Sequence, residues 1–380
     1  MQMRVHRLRD TLKLLDSVVP RKPTLAILAN VLLKDGKAHA TDLATWAIME
    51  LPEVDEDCLI PHRQVLELLE NVPGNEELTI EVKEKTLALS WSSGKASYEV
   101  ADANDYPILP DKKVVAEGDF DGDLLVAALK AISSYCATED SRLILTGVTL
   151  YLGEKMSAAA GDGFRMGYQD LPFSFPLEQA MVIPQRTVKI LDMLWKKCAT
   201  PPPPVGSLVA LITAKRNLHL SVNGDNKAYF RFGRAEVIAN LLDGTPPEFK
   251  KLVPEITANK VKLLAPEFER ALRRIKDVAY EGSGIARLTW AESVMTVSAK
   301  AAEKGEVEVM VPAVTDDGPG KIAINIKYLM EYFSGKEDFV TMGTTADKSP
   351  AVFTYHNYPL VVMMPMFVKA AEEVVEAVEE

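Results

Sequence analysis

Cysteine is scarce in this chain. Cys58, Cys136 and Cys198 are the only three in 380 residues, they lie far apart, and none belongs to a Cys-x-x-Cys pair. An odd, scattered set argues against a disulfide framework and a structural zinc, and fits a reduced, cytoplasmic protein. Apolar runs are short as well. Nothing reaches the roughly 18 residues that a membrane helix needs, and the opening MQMRVHRLRDTLKLLDS has no apolar signal-peptide core.

Motifs of chemistry are missing too. There is no His-Glu-x-x-His and no Gly-x-Ser-x-Gly, and Ser93-Gly94-Lys95 lacks the upstream glycine of a phosphate loop. His6, His39, His62, His219 and His356 fall at unrelated points of the chain. Asp119, Asp121 and Asp123 are spaced like the start of a calcium loop, but no glutamate closes it. Aspartates before a helix accept its orphan N–H groups, so a cap is the simpler reading. No catalytic residue, metal or cofactor is expected. The net charge of −11 speaks against a generally basic nucleic-acid binder, unless the bases are gathered in one place.

What is present is a repeat. Arg142–Pro172 runs RLILTGVTLYLGEKMSAAAGDGFRMGYQDLP: an apolar run, a turn, a second run, a Gly-Asp-Gly turn and a closing Leu-Pro. Thr24–Pro52 follows the same design, with Asn30-Val31 at the place of Gly147-Val148, Asp42 at that of Asp162 and Leu51-Pro52 at that of Leu171-Pro172. A weaker copy spans Gly284–Pro312. The recurrence of Asp42 and Asp162 favours a turn role over a catalytic acid, since Asp bonds its own backbone in turns.

Each copy sits in a longer module. Helices are predicted over Val5–Asp16, Leu124–Cys136 and Pro266–Val278 from apolar residues at helical spacing, and second helices follow Ile60-Pro61, Ile183-Pro184 and Ile324. Strands are predicted at Leu25–Lys34, Lys37–Ala40, Thr79–Val82, Thr86–Trp91, Ala96–Val100, Val209–Ala214, Leu218–Asn223, Lys227–Phe232, Ile285–Val311, Phe339–Met342, Ala351–Tyr355 and Leu360–Met366. Asp35-Gly36 marks a hairpin. NDYPILP (104–110) and TPPEFKKLVP (245–254) read as extended linkers, Pro201–Pro204 as an exposed insertion. The expected domains are 1–116, 117–254 and 255–368, each two helices and about eight strands in antiparallel sheets. The acidic segment 369–380 lies outside the repeat.

Lys and Arg collect on three helices: Arg4, Arg7, Arg9 and Lys13 on the first; Arg186, Lys189, Lys196 and Lys197 in the second module; Arg270, Arg273, Arg274 and Lys276 in the third. Taken singly these are solvated helix faces. If the modules pack end to end, they could form a common positive surface for phosphates, without sequence readout.

With TLAILANVLL and ATDLA, SRLILTGVTL and GDGFRM, LLDGTPPEFKKLVP and VVMMPM in register over about residues 4–367, the chain resembles the bacterial DNA polymerase III β subunit (the DNA sliding clamp) and its phage relatives. The resemblance implies an α+β fold of three clamp domains and a head-to-tail homodimer that closes a ring on duplex DNA. It implies a non-enzymatic processivity factor of DNA replication, tethering the replicative polymerase, the clamp loader and repair proteins by short peptides. Matched position places Lys22, Arg142 and Arg186 near the duplex; Arg9, Arg273 and Arg274 are added from helix charge. Glu70 stands where relatives often carry a base. The implied peptide groove comprises Leu145, Gly161, Gly163, Phe164, Arg165, Met166, Pro247, Lys251, Leu252, Val362, Met364, Pro365, Met366 and Phe367. Gly161, Phe164 and Phe367 replace a usual Thr, His and Arg there. Tyr106 and Leu109 are matched to one side of the subunit seam, and Val278 and Ala279 to the other, with Glu303, Glu306 and Glu308 around them. A repeat scaffold that keeps the groove without encircling DNA is the alternative.

Overall fold

The computed structural model describes residues 1–83, 85–199, 216–255, 260–315, 318–356 and 358–367. The expectations at Pro201–Pro204, Val209–Ala214 and 369–380 lie outside the described residues.

Among those residues one order of elements occurs three times: strand, helix, four strands, helix, three strands. The first pass is β1 (Gln2–Arg4), α1 (Val5–Leu15), β2 (Asn30–Lys34), β3 (Lys37–Thr41), β4 (Thr45–Glu50), β5 (Cys58–Pro61), α2 (His62–Glu70), β6 (Glu77–Lys83), β7 (Thr86–Trp91) and β8 (Gly94–Glu99). The second is β9 (Val114–Asp121), α3 (Gly122–Ser133), β10 (Gly147–Leu152), β11 (Ser157–Gly161), β12 (Arg165–Asp170), β13 (Gln179–Pro184), α4 (Gln185–Cys198), β14 (Asn217–Asn223), β15 (Lys227–Phe232) and β16 (Ala235–Asn240). The third is β17 (Lys260–Leu264), α5 (Ala265–Glu281), β18 (Ile285–Ala291), β19 (Val294–Ala301), β20 (Gly305–Thr315), β21 (Gly320–Asn325), α6 (Ile326–Phe333), β22 (Phe339–Gly343), β23 (Ala351–Thr354) and β24 (Leu360–Met363).

The helices form where the apolar spacing puts them. Val5, Leu8, Leu12 and Leu15 are fully buried on α1, Leu125 and Leu129 on α3, and Phe268, Leu272 and Ile275 on α5. Asp121 caps α3, its Oδ1 accepting from the N–H groups of Asp123 and Leu124 at 3.2 and 3.3 Å. Asp35 and Gly36 take positive φ (49° and 70°), the mirror-image turn that closes a tight hairpin.

Two expectations need correction. Leu25–Lys34 is not strand throughout: Ala26–Ala29 is a 3-10 turn and β2 begins at Asn30, whose side-chain Nδ2 donates to the Ile27 carbonyl at 3.0 Å. The second copy behaves alike, with 3-10 backbone within Asp140–Thr146, broken at Arg142, and β10 starting at Gly147. Strand pairing starts there because only then does a partner lie alongside, Asn30 opposite Pro61 and Gly147 opposite Pro184. Likewise Met364–Phe367 follows β24 as irregular chain, since the β23 partner is exhausted at Met363.

The chain divides into two compact units. One comprises Met1–Ser133, Thr146–Ser157 and Leu171–Pro246, the other Ser134–Leu145, Ala158–Asp170 and the chain from Pro247 onward. The first unit holds a sheet of order β5-β2-β3-β4-β16-β15-β14-β9, a second of order β1-β6-β7-β8, and the helix pairs α1/α2 and α3/α4. In the other unit the order β12-β24-β23-β22-β17-β20-β19-β18-β21 packs against α5 and α6. Its core includes Phe268 and Phe333 with ring centroids 4.5 Å apart.

The last strand of one pass pairs with the fourth strand of the pass before it. β16 runs antiparallel to β4 with Trp46 opposite Ile238, and β24 runs antiparallel to β12 with Met166 opposite Val362. The first of these seams is sealed by Trp46, Ile48, Tyr229 and Ile238, with Leu109 from the first linker packed on them. That linker is tied down: the Asp111 carbonyl accepts from Asn223 Nδ2 at 2.9 Å and Tyr229 Oη at 3.2 Å, and Lys112 pairs with Glu236 at 2.9 Å.

Candidate functional site

The turn before β12 is built by a side chain. Asp162 Oδ1 accepts from the N–H groups of Phe164 and Arg165, both at 2.9 Å. Its repeat partner Asp42 does the same for Ala44 and Thr45 at 3.1 and 2.8 Å. The residue after each aspartate is left-handed, Gly163 at φ 94° and Leu43 at φ 72°. Both carboxylates therefore hold turns, as the repeat suggested.

This turn pushes Phe164 outward, 64% exposed, while Met166 is buried two residues on. The Phe164 carbonyl accepts from Met364 N–H at 2.8 Å, which sets the half-exposed Met364 beside it. Val362, opposite Met166, is buried, and so is Leu145. Beyond them Pro365 leads to Met366, whose N–H reaches the Ala323 carbonyl at 2.8 Å, and to Phe367, 76% exposed. The linker of this unit contributes Pro247, Lys251 and Leu252: Phe249 is buried, Leu252 is 55% exposed, and Lys251 is ion-paired with Glu248. All the residues assigned to the groove thus belong to one unit. Leu145, Met166 and Val362 are buried, while Phe164, Leu252, Met364 and Phe367 expose apolar surface.

Two features refine the sequence reading. A Cβ on Gly161 would meet Phe249 Cε1 at 3.0 Å, so an aromatic edge occupies the room a larger residue would take. Arg165 is not a free cation: it pairs with Asp162 at 3.2 Å and Glu331 at 2.6 Å, and its guanidinium lies 4.3 Å from the Tyr328 ring centroid. Burial beside it pushes the Tyr135 hydroxyl up to about 12. Phe249, Tyr328 and Glu331 were not singled out from sequence; their role rests on contacts that no local pattern encodes.

The six proposed phosphate contacts fare differently. Lys22, Arg142 and Arg274 are exposed and have no ion-pair partner among the described residues. Arg186 is already held, its Nε pairing with Asp42 Oδ2 at 2.6 Å and its Nη2 donating to the Ser17 carbonyl at 3.2 Å. Arg273 pairs with Glu269 at 2.7 Å, and Arg9 leans on Asp10 at 3.4 Å. Glu70 pairs with Lys13 at 3.0 Å and cancels one of the first helix's charges.

At the expected subunit seam, Tyr106, Val278 and Ala279 are interior to their own units. The Tyr106 hydroxyl donates to the Asn30 carbonyl at 3.3 Å. These side chains fill their own cores, so they present little to a second copy, and Leu109 is half-buried on the first seam. Ile108 of the same linker is 89% exposed instead. Glu303, Glu306 and Glu308 are exposed, Glu306 within 3.8 Å of Lys300.

Residues 250–366 match the family described as the C-terminal domain of the DNA polymerase III beta subunit. The beta sliding clamp of Caulobacter vibrioides is 22% identical over 334 residues, covering 83% of this chain and 84% of its own length. That of Chlamydia pneumoniae is 22% identical over 377 residues, covering 95% and 97%. The crystal structure of the DNA polymerase III subunit beta from Pseudomonas aeruginosa superposes with a TM-score of 0.85 at 21% identity, over 97% of this chain and 100% of that one. In its C-terminal third the chain matches the DNA polymerase III β-subunit family, along most of its length it is similar to curated beta sliding clamps, and its fold is that of the β-subunit structures.

Proposed function

We propose that this chain is a DNA sliding clamp: two copies join head to tail into a ring on duplex DNA, and the groove tethers the replicative polymerase and other partners. The observation that carries the reading is a missing strand. β4 receives β16 and β12 receives β24, but the matching stretch of β20, Gly305–Val309, has no strand on that side among the described residues. β8, the counterpart of β16 and β24, is likewise an edge. Open edges are templates for pairing. A contact between two different surfaces of one chain generates rings when its rotation closes, and β20 of one copy with β8 of the next is such a contact.

In this reading the three element sets are domains at 1–116, 117–254 and 255–368, with 369–380 outside them. The protein is cytoplasmic and not an enzyme; no described helix is long and apolar enough to cross a membrane. Topology would hold the DNA, so a few free cations such as Lys22 and Arg274 suffice, and weak contacts permit sliding. A net charge of −11 keeps the rest of the surface off nucleic acid. One observation favours the scaffold that does not encircle DNA: the Lys13–Glu70 pair thins the positive charge.

Sedimentation tests the seam. The protein is expected at twice the chain mass of 41.8 kDa. Ile108→Glu, an exposed site in the linker that follows β8, should leave the fold intact and shift the mass toward the single chain. A wild-type protein that stays at single-chain mass at high concentration would overturn the ring.

A further inference from the structure

Lysines keep their ammonium in water or beside a carboxylate. Lys336 does neither. It follows the end of α6, where Gly335 at φ 72° turns the chain back, and it is half-buried with no ion-pair partner among the described residues. Its Nζ donates to the Tyr332 carbonyl in the last turn of α6. It also lies 4.1, 5.5 and 5.6 Å from the ring centroids of Tyr332, Tyr355 and Tyr358. Tyr332 and Tyr355 are buried, and Tyr358, 58% exposed, is the surface ring of this cage. The charged groups beside it point to other work: Asp338 pairs with His356 at 3.1 Å, and Glu337 is exposed. Ring faces favour the ammonium, and burial disfavours it. Burial wins, and the Lys336 pKa lies below the ordinary lysine value. Lys34 and Lys196 move the opposite way, through hydrogen bonds to Asp57 and Asp192.

We propose that Lys336 is an acyl-acceptor site, whose Nζ in the tyrosine cage takes an acyl group from an acyl phosphate in preference to exposed lysines. A lysine desolvated among apolar groups and without a counter-ion is an activated nucleophile. The neutral amine attacks the carbonyl carbon. An N–C bond forms, the C–O bond to phosphorus-bound oxygen breaks, phosphate leaves with that electron pair, and the surplus amine proton passes to water. The product amide carries no charge. Acylation therefore removes the cation–ring contacts that tie the end of α6 to the loop between β23 and β24. The Asp338–His356 pair and the Glu337 N–H donation to Tyr355 Oη at 3.4 Å are left to hold that loop. The site thus couples a surface modification to the approach of β24, the strand that pairs with β12.

Trace labelling of the full-length protein with acetyl phosphate tests this, read by digestion and peptide mass spectrometry from about pH 6 to about pH 10. Lys22 and Lys348, both exposed, are the internal references. Labelling of Lys336 should exceed theirs several-fold at neutral pH, and its pH profile should level off at lower pH. Tyr358→Ala removes the surface ring and lets water in, so the Lys336 profile should shift up toward that of Lys348. Tyr358→Phe keeps the ring and should leave the profile in place, and Lys348 should respond to neither variant. A Lys336 profile that coincides with the references would overturn the proposal. Labelling below theirs at every pH would also overturn it, by showing that the cage shields the amine. A Tyr358→Ala profile identical to wild type would overturn the cage as the cause.

Discussion

His39 is the side chain most at odds with its surroundings. It lies on β3, 4% exposed, and neither ring nitrogen has a hydrogen-bond partner among the described residues. Desolvation drives its pKa down to about 4. The unfolded chain protonates this imidazole near about 6.5. Between those values the unfolded state binds the extra proton, so stability falls as pH falls. The loss runs at about 1.4 kcal/mol per pH unit, is absent above the window and levels off below it. Urea titrations of wild type and His39→Leu from pH 7 to 4 should diverge in that sense; parallel curves would show that His39 charges freely in the fold. Residue roles of this kind were only partly legible. Asp42 and Asp162 announced themselves by recurring in the repeat, because a turn is local. Arg186 showed its charge in the sequence but not its partner, Asp42, far away along the chain.

Elements were read well where the signal is periodic. The apolar spacing of α1, α3 and α5 and the Asp35-Gly36 turn are properties of a few neighbouring residues. β1, β9 and β17, which precede each first helix, were not anticipated. β1 is short, and each of the three is strand because it pairs with a strand much later in the chain: β1 with β6, β9 with β14, β17 with β22. The 3-10 turns before β2 and β10 were hidden for the converse reason, since apolar residues there look like strand until pairing decides. Gly122, at the start of α3, shows how tightly elements meet. A Cβ there would stand 2.1 Å from the Trp195 ring on α4, which is buried and donates to Asp123 Oδ1 at 2.9 Å. Overpacking of this kind costs about 1–3 kcal/mol. Gly122→Ala should lower the urea midpoint accordingly, and an unchanged midpoint would mean that α3 and α4 separate without cost.

For the whole molecule the repeat carried most of the information. Among the described residues ten helices and strands follow one order three times, with two seams filled and one edge of each kind left over, and the proposed second copy would complete that pattern. Charge was less transparent. Lys/Arg-rich helices are visible in sequence, yet Arg7–Glu53, Lys13–Glu70, Lys196–Asp192 and Arg273–Glu269 consume much of that charge. A clamp that holds DNA by topology tolerates this; a binder that relies on phosphate contacts does not.

The most direct test is retention on circular against cut DNA. The protein is loaded onto a nicked circular duplex, isolated by gel filtration at near-physiological salt, and the circle is then cut once. The ring account predicts that protein travels with the intact circle and is released when an end is created. Equal retention before and after the cut, or no retention on the circle, would contradict it.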